Sequence, residues 1–136
     1  MTDKDPADDV KIHVDVDRAW IQTYTGGKFH LLAPRQEEIN IVDIAHALSM
    51  MCRFTGHVRR FYSVSEHSWH ASYLVPKQDA LWALLHDASE AYMADMNRPL
   101  KHFTAIGPAY LKVEKKSNGR NLQEVRSSIR ATGKRA

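Results

Sequence analysis

Residues 83–92 read ALLHDASEAY. This stretch combines small and apolar residues with one histidine and two acids. Its apolar spacing predicts a helix. Within that helix Glu90 would lie beside both His86 and Asp87, because it follows them by four and three residues. Ionisable groups among Leu and Ala are costly to bury unless they are paired or bound to a metal. The alternative is a partly exposed helix edge that carries a His-Asp dipeptide.

A second histidine is expected to point into the same core. Residues 63–66 (SVSE) fit a capping box, which opens a helix that carries His67 on its apolar stripe and ends before Pro76. A lone histidine on an apolar face is more often a core residue bonded to a backbone carbonyl. Here two neighbouring helices each direct an imidazole inward, and one adds a carboxylate. This ligand set suits a divalent ion such as Mn, Co, Fe, Zn or Mg.

The elements around these two helices are also read from local patterns. Residues 19–24 and 28–32 flank Thr25-Gly26-Gly27 and predict a β-hairpin. Asn40 is a good N-cap for a helix that stops near residue 54. The helix that carries the His-Asp pair is predicted over residues 78–93, and a fourth over 108–114. The predicted fold class is mostly α, a helical bundle with a short N-terminal β-hairpin.

Composition narrows the class of protein. The 136 residues are enough for one domain, and a single cysteine, Cys52, excludes an internal disulfide framework. No apolar run approaches the length of a membrane span, and the polar N-terminus is unlike a signal peptide, so a cytoplasmic protein without a membrane partner is expected. We predict a disordered acidic leader over residues 1–11, a domain over 12–116 and a disordered basic tail over 117–136.

The positive charge of the chain is concentrated at its end. Residues 115–136 carry seven Lys/Arg and one acid, a net charge of +6, whereas residues 1–114 carry a net charge of −3. The basic balance therefore belongs to the tail and gives little support for a nucleic-acid surface on the globular part. A tail that binds nucleic acid is the alternative, and its affinity would fall steeply with salt.

Three separate sequence motifs add to the evidence from residue spacing. They are FYSVSEHS (residues 61–68), LLHDASEAY (84–92) and ADMNRPLK (94–101). Together and in this order they resemble the HD-domain metal-dependent phosphohydrolases. The likeness covers roughly residues 20–116 and is greatest to bacterial 5′-deoxynucleotidases and small phage HD phosphohydrolases, some of which cleave deoxynucleoside triphosphates. The resemblance implies an HD-type helical bundle, a divalent metal and a nucleotide substrate.

The resemblance also implies roles for individual residues. The metal ligands of the family match His67, His86 and Asp87, and the acidic pair that orients or deprotonates the attacking water matches Glu90 and Asp95. The one histidine that could be mistaken for a further ligand, His70, is expected to lie outside the ligand set.

Substrate contacts follow from the same likeness. Arg53 and Phe54 match an Arg-aromatic pair that contacts the phosphate and sugar, although deoxynucleotidases have a tryptophan in place of Phe54. His57 and Lys101 are further candidates for the phosphate. Additional cations that could neutralise it are Arg59, Arg60 and Arg98. A solvated surface charge is the alternative for each of these cations, and an exposed loop histidine is the alternative for His57.

The sequence departs from the family beyond residue 114. HD phosphohydrolases complete the metal site with a second aspartate from a later helix, and residues 96–136 contain no aspartate. One hypothesis is a frameshifted or foreign C-terminus, which would expose apolar surface and favour homo-oligomers. The other is a genuine short variant in which Glu90, Asp95, Glu114 or a partner chain fills the vacancy. The predicted function is phosphohydrolase activity on (deoxy)nucleotides that releases phosphate or polyphosphate; the alternative is a degenerate domain that binds nucleotide or metal without turnover.

Overall fold

The fold is mostly helical with one short hairpin, which confirms the predicted fold class. The computed structural model describes the backbone of residues 15–133 and the side chains of residues 15–118 and Val125, so the predicted leader over 1–11 lies outside it. In chain order the elements are β1 (Trp20–Gln22), β2 (Lys28–His30), α1 (Ile41–Met50), α2 (Val64–Tyr73), α3 (Ala80–Leu84), α4 (Glu90–Met93), α5 (Arg98–Phe103) and α6 (Ile106–Gly133). None of the described helices combines the length and apolar character needed to span a bilayer.

The hairpin lies against the helices. Strands β1 and β2 are antiparallel, and their turn is tied to α1 because the Thr25 N–H and hydroxyl both donate to the buried Asp43 carboxylate, at 2.7 and 3.0 Å. On the other side the Phe29 ring stacks on Tyr92 of α4, with ring centroids 3.7 Å apart. Two short strands cannot make a domain alone, and these contacts give the hairpin its place in the core.

Helices α1 and α2 begin where their capping residues predict. Asn40 Oδ1 accepts from the Val42 N–H at 2.9 Å, and Ser63 Oγ accepts from the Glu66 N–H at 3.0 Å. Such side chains satisfy N–H groups that have no partner within the helix. Both N-cap predictions are confirmed.

The predicted continuous helix over residues 78–93 is wrong. Helix α3 ends at Leu84 and α4 starts at Glu90, with a turn over residues 85–89 between them. Within the turn the Ala88 N–H donates to the Leu85 carbonyl and the Glu90 N–H donates to the Asp87 carbonyl, three residues back rather than four. The tighter winding changes where each side chain points, so Glu90 does not lie on one regular helix surface with His86 and Asp87.

The predicted end of the last helix is also wrong. Helix α6 begins at Ile106 rather than Pro108 and continues past the predicted end at residue 114 to Gly133, through most of the predicted disordered tail. Ser117 is fully buried, Val125 belongs to the core, and Asn118 bonds to the 85–89 turn. These tertiary contacts offset the low helix propensity of Ser, Asn and Gly.

The hydrophobic core joins the hairpin, α1, α2, α4, α6 and the 85–89 turn. Its buried members are Phe29, Ile39, Ile44, Leu48, Val64, Leu85, Ala88, Tyr92 and Val125. Two of them, Leu85 and Ala88, lie inside the 85–89 turn. Packing therefore fixes the backbone of that turn on its inner side.

Gly107 allows α5 and α6 to approach each other closely. A Cβ at this position would lie 1.8 Å from the carbonyl oxygen of Lys101, which is backbone and cannot move alone. We expect Gly107→Ala to destabilise the protein by about 2–3 kcal/mol because the two helices must separate. Urea unfolding measures this change. Gly27→Ala is the control, since its Cβ would meet only the Thr23 hydroxyl at 3.3 Å; equal losses in both variants would contradict the prediction.

Candidate metal centre

Three side chains from α2 and the 85–89 turn converge on one point. His67 Nε2 lies 3.3 Å from His86 Nε2 and 3.4 Å from Asp87 Oδ2, and His86 Nε2 lies 3.0 Å from Asp87 Oδ2. A tetrahedral ion with bonds of about 2.1 Å separates its ligands by about 3.4 Å. The three atoms therefore already have the spacing of ligands around one divalent ion, and this cluster could hold a metal.

The orientation of His86 favours its role as a ligand. Its Nδ1 donates to the Ala83 carbonyl at 2.6 Å, since a carbonyl can only accept. In the neutral ring this leaves Nε2 as the acceptor, pointing at His67 and Asp87. Metal-binding histidines usually donate their other ring nitrogen in this way, which fixes both tautomer and ring direction.

The pKa values of all three clustered side chains are shifted from their ordinary values. Burial lowers the pKa of His67, and the charge of Arg53 lowers it further. When His86 is protonated its Nε2 can donate a hydrogen bond to Asp87, and this bond raises the pKa of His86, although burial opposes the shift. Burial alone would raise the pKa of Asp87, but its hydrogen bond with His86 and the charges of His86, His67 and Arg53 hold it below its ordinary value. The result is an ionised carboxylate beside two imidazoles, which fits a divalent cation.

Arg53 connects this cluster to an open cavity. Its Nη1 lies 3.7 Å from Asp87 Oδ2, and its backbone N–H donates to the Tyr62 carbonyl at 2.8 Å. The Nε atom is buried and has no hydrogen-bond partner in the described part of the chain. The guanidinium lies 5.0 Å from the centre of the Phe54 ring, and Phe54 and Thr55 both have left-handed φ values, 56° and 55°. Such strain in non-glycine residues is concentrated at functional sites.

The cavity has a volume of about 800 Å³ and brings together most of the predicted catalytic and substrate residues. Those that line it are Arg53, Phe54, His57, Glu90, Asp95, Arg98 and Lys101. Of the predicted cations, Arg59 and Arg60 are exposed and are not among its lining residues. His70 is not one of the three clustered residues, and its Nε2 lies 3.6 Å from Glu66 Oε1.

Glu90 is the one buried acid among the described residues that line the cavity. It is 6% exposed, and its Oε2 atom has no hydrogen-bond partner among the described residues. Burial, with the negative charges of Asp87 and Asp95, raises the pKa of Glu90 to about 8. Asp95 follows Ala94, whose φ of 70° is a second strained point beside the cavity. A carboxyl group with a pKa near neutrality can both release and accept a proton at physiological pH.

The charge of Lys101 is partly neutralised by an acid of α6. Its ammonium group lies 2.7 Å from Glu114 Oε1 and 4.9 Å from the centre of the Tyr110 ring. Glu114, one of the residues predicted as a substitute metal ligand, is thus engaged with a lysine. Lys101 still lines the cavity, and part of its charge is neutralised there.

Two residues that hold the site were not identified from the sequence. Asn118 of α6 bonds to the backbone of the 85–89 turn, and the Tyr110 hydroxyl donates to the Ala94 carbonyl at 2.6 Å. The available signal was the four-residue spacing of Tyr110, Glu114 and Asn118. These three side chains share one helix face only if the helix continues past Lys116.

Two uncharacterized bacterial proteins share sequence with this chain. It is 43% identical over 98 residues to YfdR of Escherichia coli K12, a match that covers 72% of this chain and 53% of that protein. It is 37% identical to an uncharacterized protein of Rhodobacter capsulatus, with coverage of 71% and 53%. No protein-family model matches the chain. The two matches show that the chain spans about half the length of these curated relatives.

Proposed function

We propose that this protein is a metal-dependent phosphohydrolase of the HD type that acts on deoxynucleotides. One observation carries the proposal: the His67, His86 and Asp87 ligand atoms lie within 4.8 Å of one another. Arg53 links that cluster to a cavity with both cationic and acidic walls. Three protein ligands leave a coordination position for water or substrate, as catalytic metal sites require.

The chain supplies the groups that bind and orient a phosphate. Arg53 is anchored by its backbone and lines the cavity, so its guanidinium can donate to a phosphate oxygen. A bound divalent ion would polarise the phosphoryl group and lower the pKa of a water molecule. Arg98 and Lys101, which also line the cavity, add positive charge.

Glu90 is the best candidate for moving the proton of the attacking water. Glu90 lines the cavity, and its pKa is raised in part by the negative charge of Asp87, one of the three proposed metal ligands. In the metal-free protein the pKa of Glu90 is about 8, near the pH range in which a carboxyl group can exchange a proton with water. Asp95, on the next loop, is in the same cavity and is proposed to orient the water.

The cavity size and Phe54 favour a nucleotide over free phosphate. Small-molecule sites occupy about 300–1,000 Å³, and this cavity has about 800 Å³. The Phe54 ring is 57% exposed beside Arg53, so it offers an apolar face next to the phosphate-binding cation. Both mono- and triphosphates are compatible with this arrangement.

Phosphate release from a panel of deoxynucleoside mono- and triphosphates tests the proposal. We expect release with at least one of Mn²⁺, Co²⁺, Zn²⁺ or Mg²⁺. Activity should be lost on chelation and restored by that ion. A malachite-green assay detects phosphate from monophosphates, and chromatography identifies pyrophosphate or tripolyphosphate.

The same panel separates turnover from binding alone. If folded, metal-loaded protein releases nothing from any nucleotide, the hydrolase proposal is wrong. Nucleotide binding by calorimetry under those conditions would then favour a domain that binds without turnover. Self-association, and the expectation that nucleic acid is not a partner, stay predictions from the sequence.

A further inference from the structure

Three polar side chains recur every fourth residue along α6, and each holds a different part of the site. Tyr110 donates to the carbonyl of Ala94, which precedes Asp95. Glu114 pairs with Lys101, and Asn118 contacts the 85–89 turn. A four-residue spacing places the three side chains on one helix face. Helix α6 therefore presents a polar stripe, Tyr110–Glu114–Asn118, to three segments that carry candidate site residues.

Asn118 makes the most informative of these contacts. Its Oδ1 accepts from the Ser89 N–H at 3.0 Å, and its Nδ2 donates to the His86 carbonyl at 3.2 Å. One amide thus bonds to both a donor and an acceptor of the turn backbone, through its oxygen and its nitrogen. Its neighbour Ser117 is fully buried, which fixes the register of α6 at this point.

The two bonds enclose the metal ligands of the turn. Asp87 lies between the two anchor points, and His86 provides one of them through its own carbonyl. The His86 ring is fixed separately by the Ala83 carbonyl. Both Asn118 bonds end on backbone atoms, so its influence on the site passes through the backbone of the turn.

We propose that Asn118 is a positioning residue for the metal centre, which holds the 85–89 turn so that His86 and Asp87 face His67. This inference rests on the metal site of the proposed function, not on turnover. Ligands must be held to within about 0.5 Å of their productive geometry. The backbone bonds from α6 supply that restraint, together with the core packing of Leu85 and Ala88.

Cobalt binding tests the inference without any need for catalysis. Co²⁺ is titrated into the metal-free wild type and Asn118→Ala, and its visible absorption reports both affinity and coordination geometry. We expect the variant to bind Co²⁺ about 10–100-fold more weakly, with an altered absorption band, as for other residues that support metal ligands. Asn118→Asp keeps the acceptor for Ser89 and loses the donor, so its affinity should be intermediate.

Asn40→Ala is the matched control. It removes an asparagine that also bonds to backbone, at the start of α1 and outside the cavity lining. It should lower the melting temperature while Co²⁺ affinity and absorption stay those of the wild type. If Asn118→Ala does not fold, Asn118→Asp gives the same comparison.

The possible outcomes separate this inference from the proposed function. Wild-type affinity and absorption in the Asn118 variants, with a lower melting temperature, would show a merely structural role and overturn the proposal. Failure of the wild type to bind Co²⁺ would overturn the metal site itself, and this inference with it. Co²⁺ binding that depends on Asn118, without phosphate release, would support the positioning role and contradict only the hydrolase.

Discussion

His67→Ala should lower phosphate release more than about 100-fold and remove the bound metal, whereas His70→Ala should change neither. His67 Nε2 lies within 3.4 Å of both other ligand atoms, so its loss leaves two ligands. His70 is on the same helix three residues later, is half exposed and pairs with Glu66. The two variants therefore match in residue type and helix, and differ in the direction of the ring.

Metal content by mass spectrometry and kcat/KM in the presence of the activating ion measure the effect. Thermal unfolding of both metal-free variants provides the stability control, because His to Ala improves helix propensity equally in each. Retention of metal by His67→Ala, or equal loss in both variants, would contradict the assignment of His67 as a ligand.

Glu90→Gln should stabilise the metal-free protein at alkaline pH. In the metal-loaded protein the same substitution should abolish most of the phosphate release. The pKa of Glu90 is about 8 in the folded protein and its ordinary value is 4.5. Between these values the folded state holds a proton that the unfolded state has released, so the free energy of unfolding falls as pH rises. The contribution of protonated Glu90 to stability is complete below pH 4.5 and is lost through pH 8.

Glutamine cannot ionise, so the variant lacks this alkaline loss. We expect similar free energies of unfolding at pH 5 and an advantage for Glu90→Gln of about 2–4 kcal/mol at pH 9. Urea unfolding in chelator at both pH values measures the difference. Glu66→Gln is the control, since Glu66 is 45% exposed and should show a difference below about 0.5 kcal/mol. Parallel pH dependence in wild type and Glu90→Gln would rule out a buried neutral Glu90.

The catalytic effect of the same substitution is separate from its effect on stability. If Glu90 moves the proton of the attacking water, kcat should fall about 10²–10⁴-fold in Glu90→Gln. Metal content should stay that of the wild type because Glu90 is outside the ligand cluster. Loss of metal together with activity would instead make Glu90 part of the metal site.

Local signals predicted the first half of the fold well. The hairpin, and the starts of α1 and α2, follow from glycine in a turn and from the Asn40 and Ser63 caps. Each of these depends on bonds between residues within a few positions of each other. The three metal candidates were also predicted, and the structure brings His67, His86 and Asp87 together.

Predictions failed where distant contacts determine the backbone. The helical pattern over residues 78–93 is compatible with a continuous helix, but packing of Leu85 and Ala88 and the bonds from Asn118 stabilise a turn instead. The composition of 117–121 favours a break, but the buried Ser117 and core residue Val125 continue α6. In both cases tertiary contacts override a local propensity worth less than about 1 kcal/mol per residue.

The sequence by itself determined the helical class, the caps of α1 and α2, and the residue types that can bind a divalent ion, because these depend on local spacing and chemistry. The tertiary structure alone decided the shape of the 85–89 turn, the neutralisation of Lys101 by Glu114 and the placing of α6 against the site. These features pair residues up to 32 positions apart. Such pairings arise from packing of the whole chain and have no counterpart in any short window of the sequence.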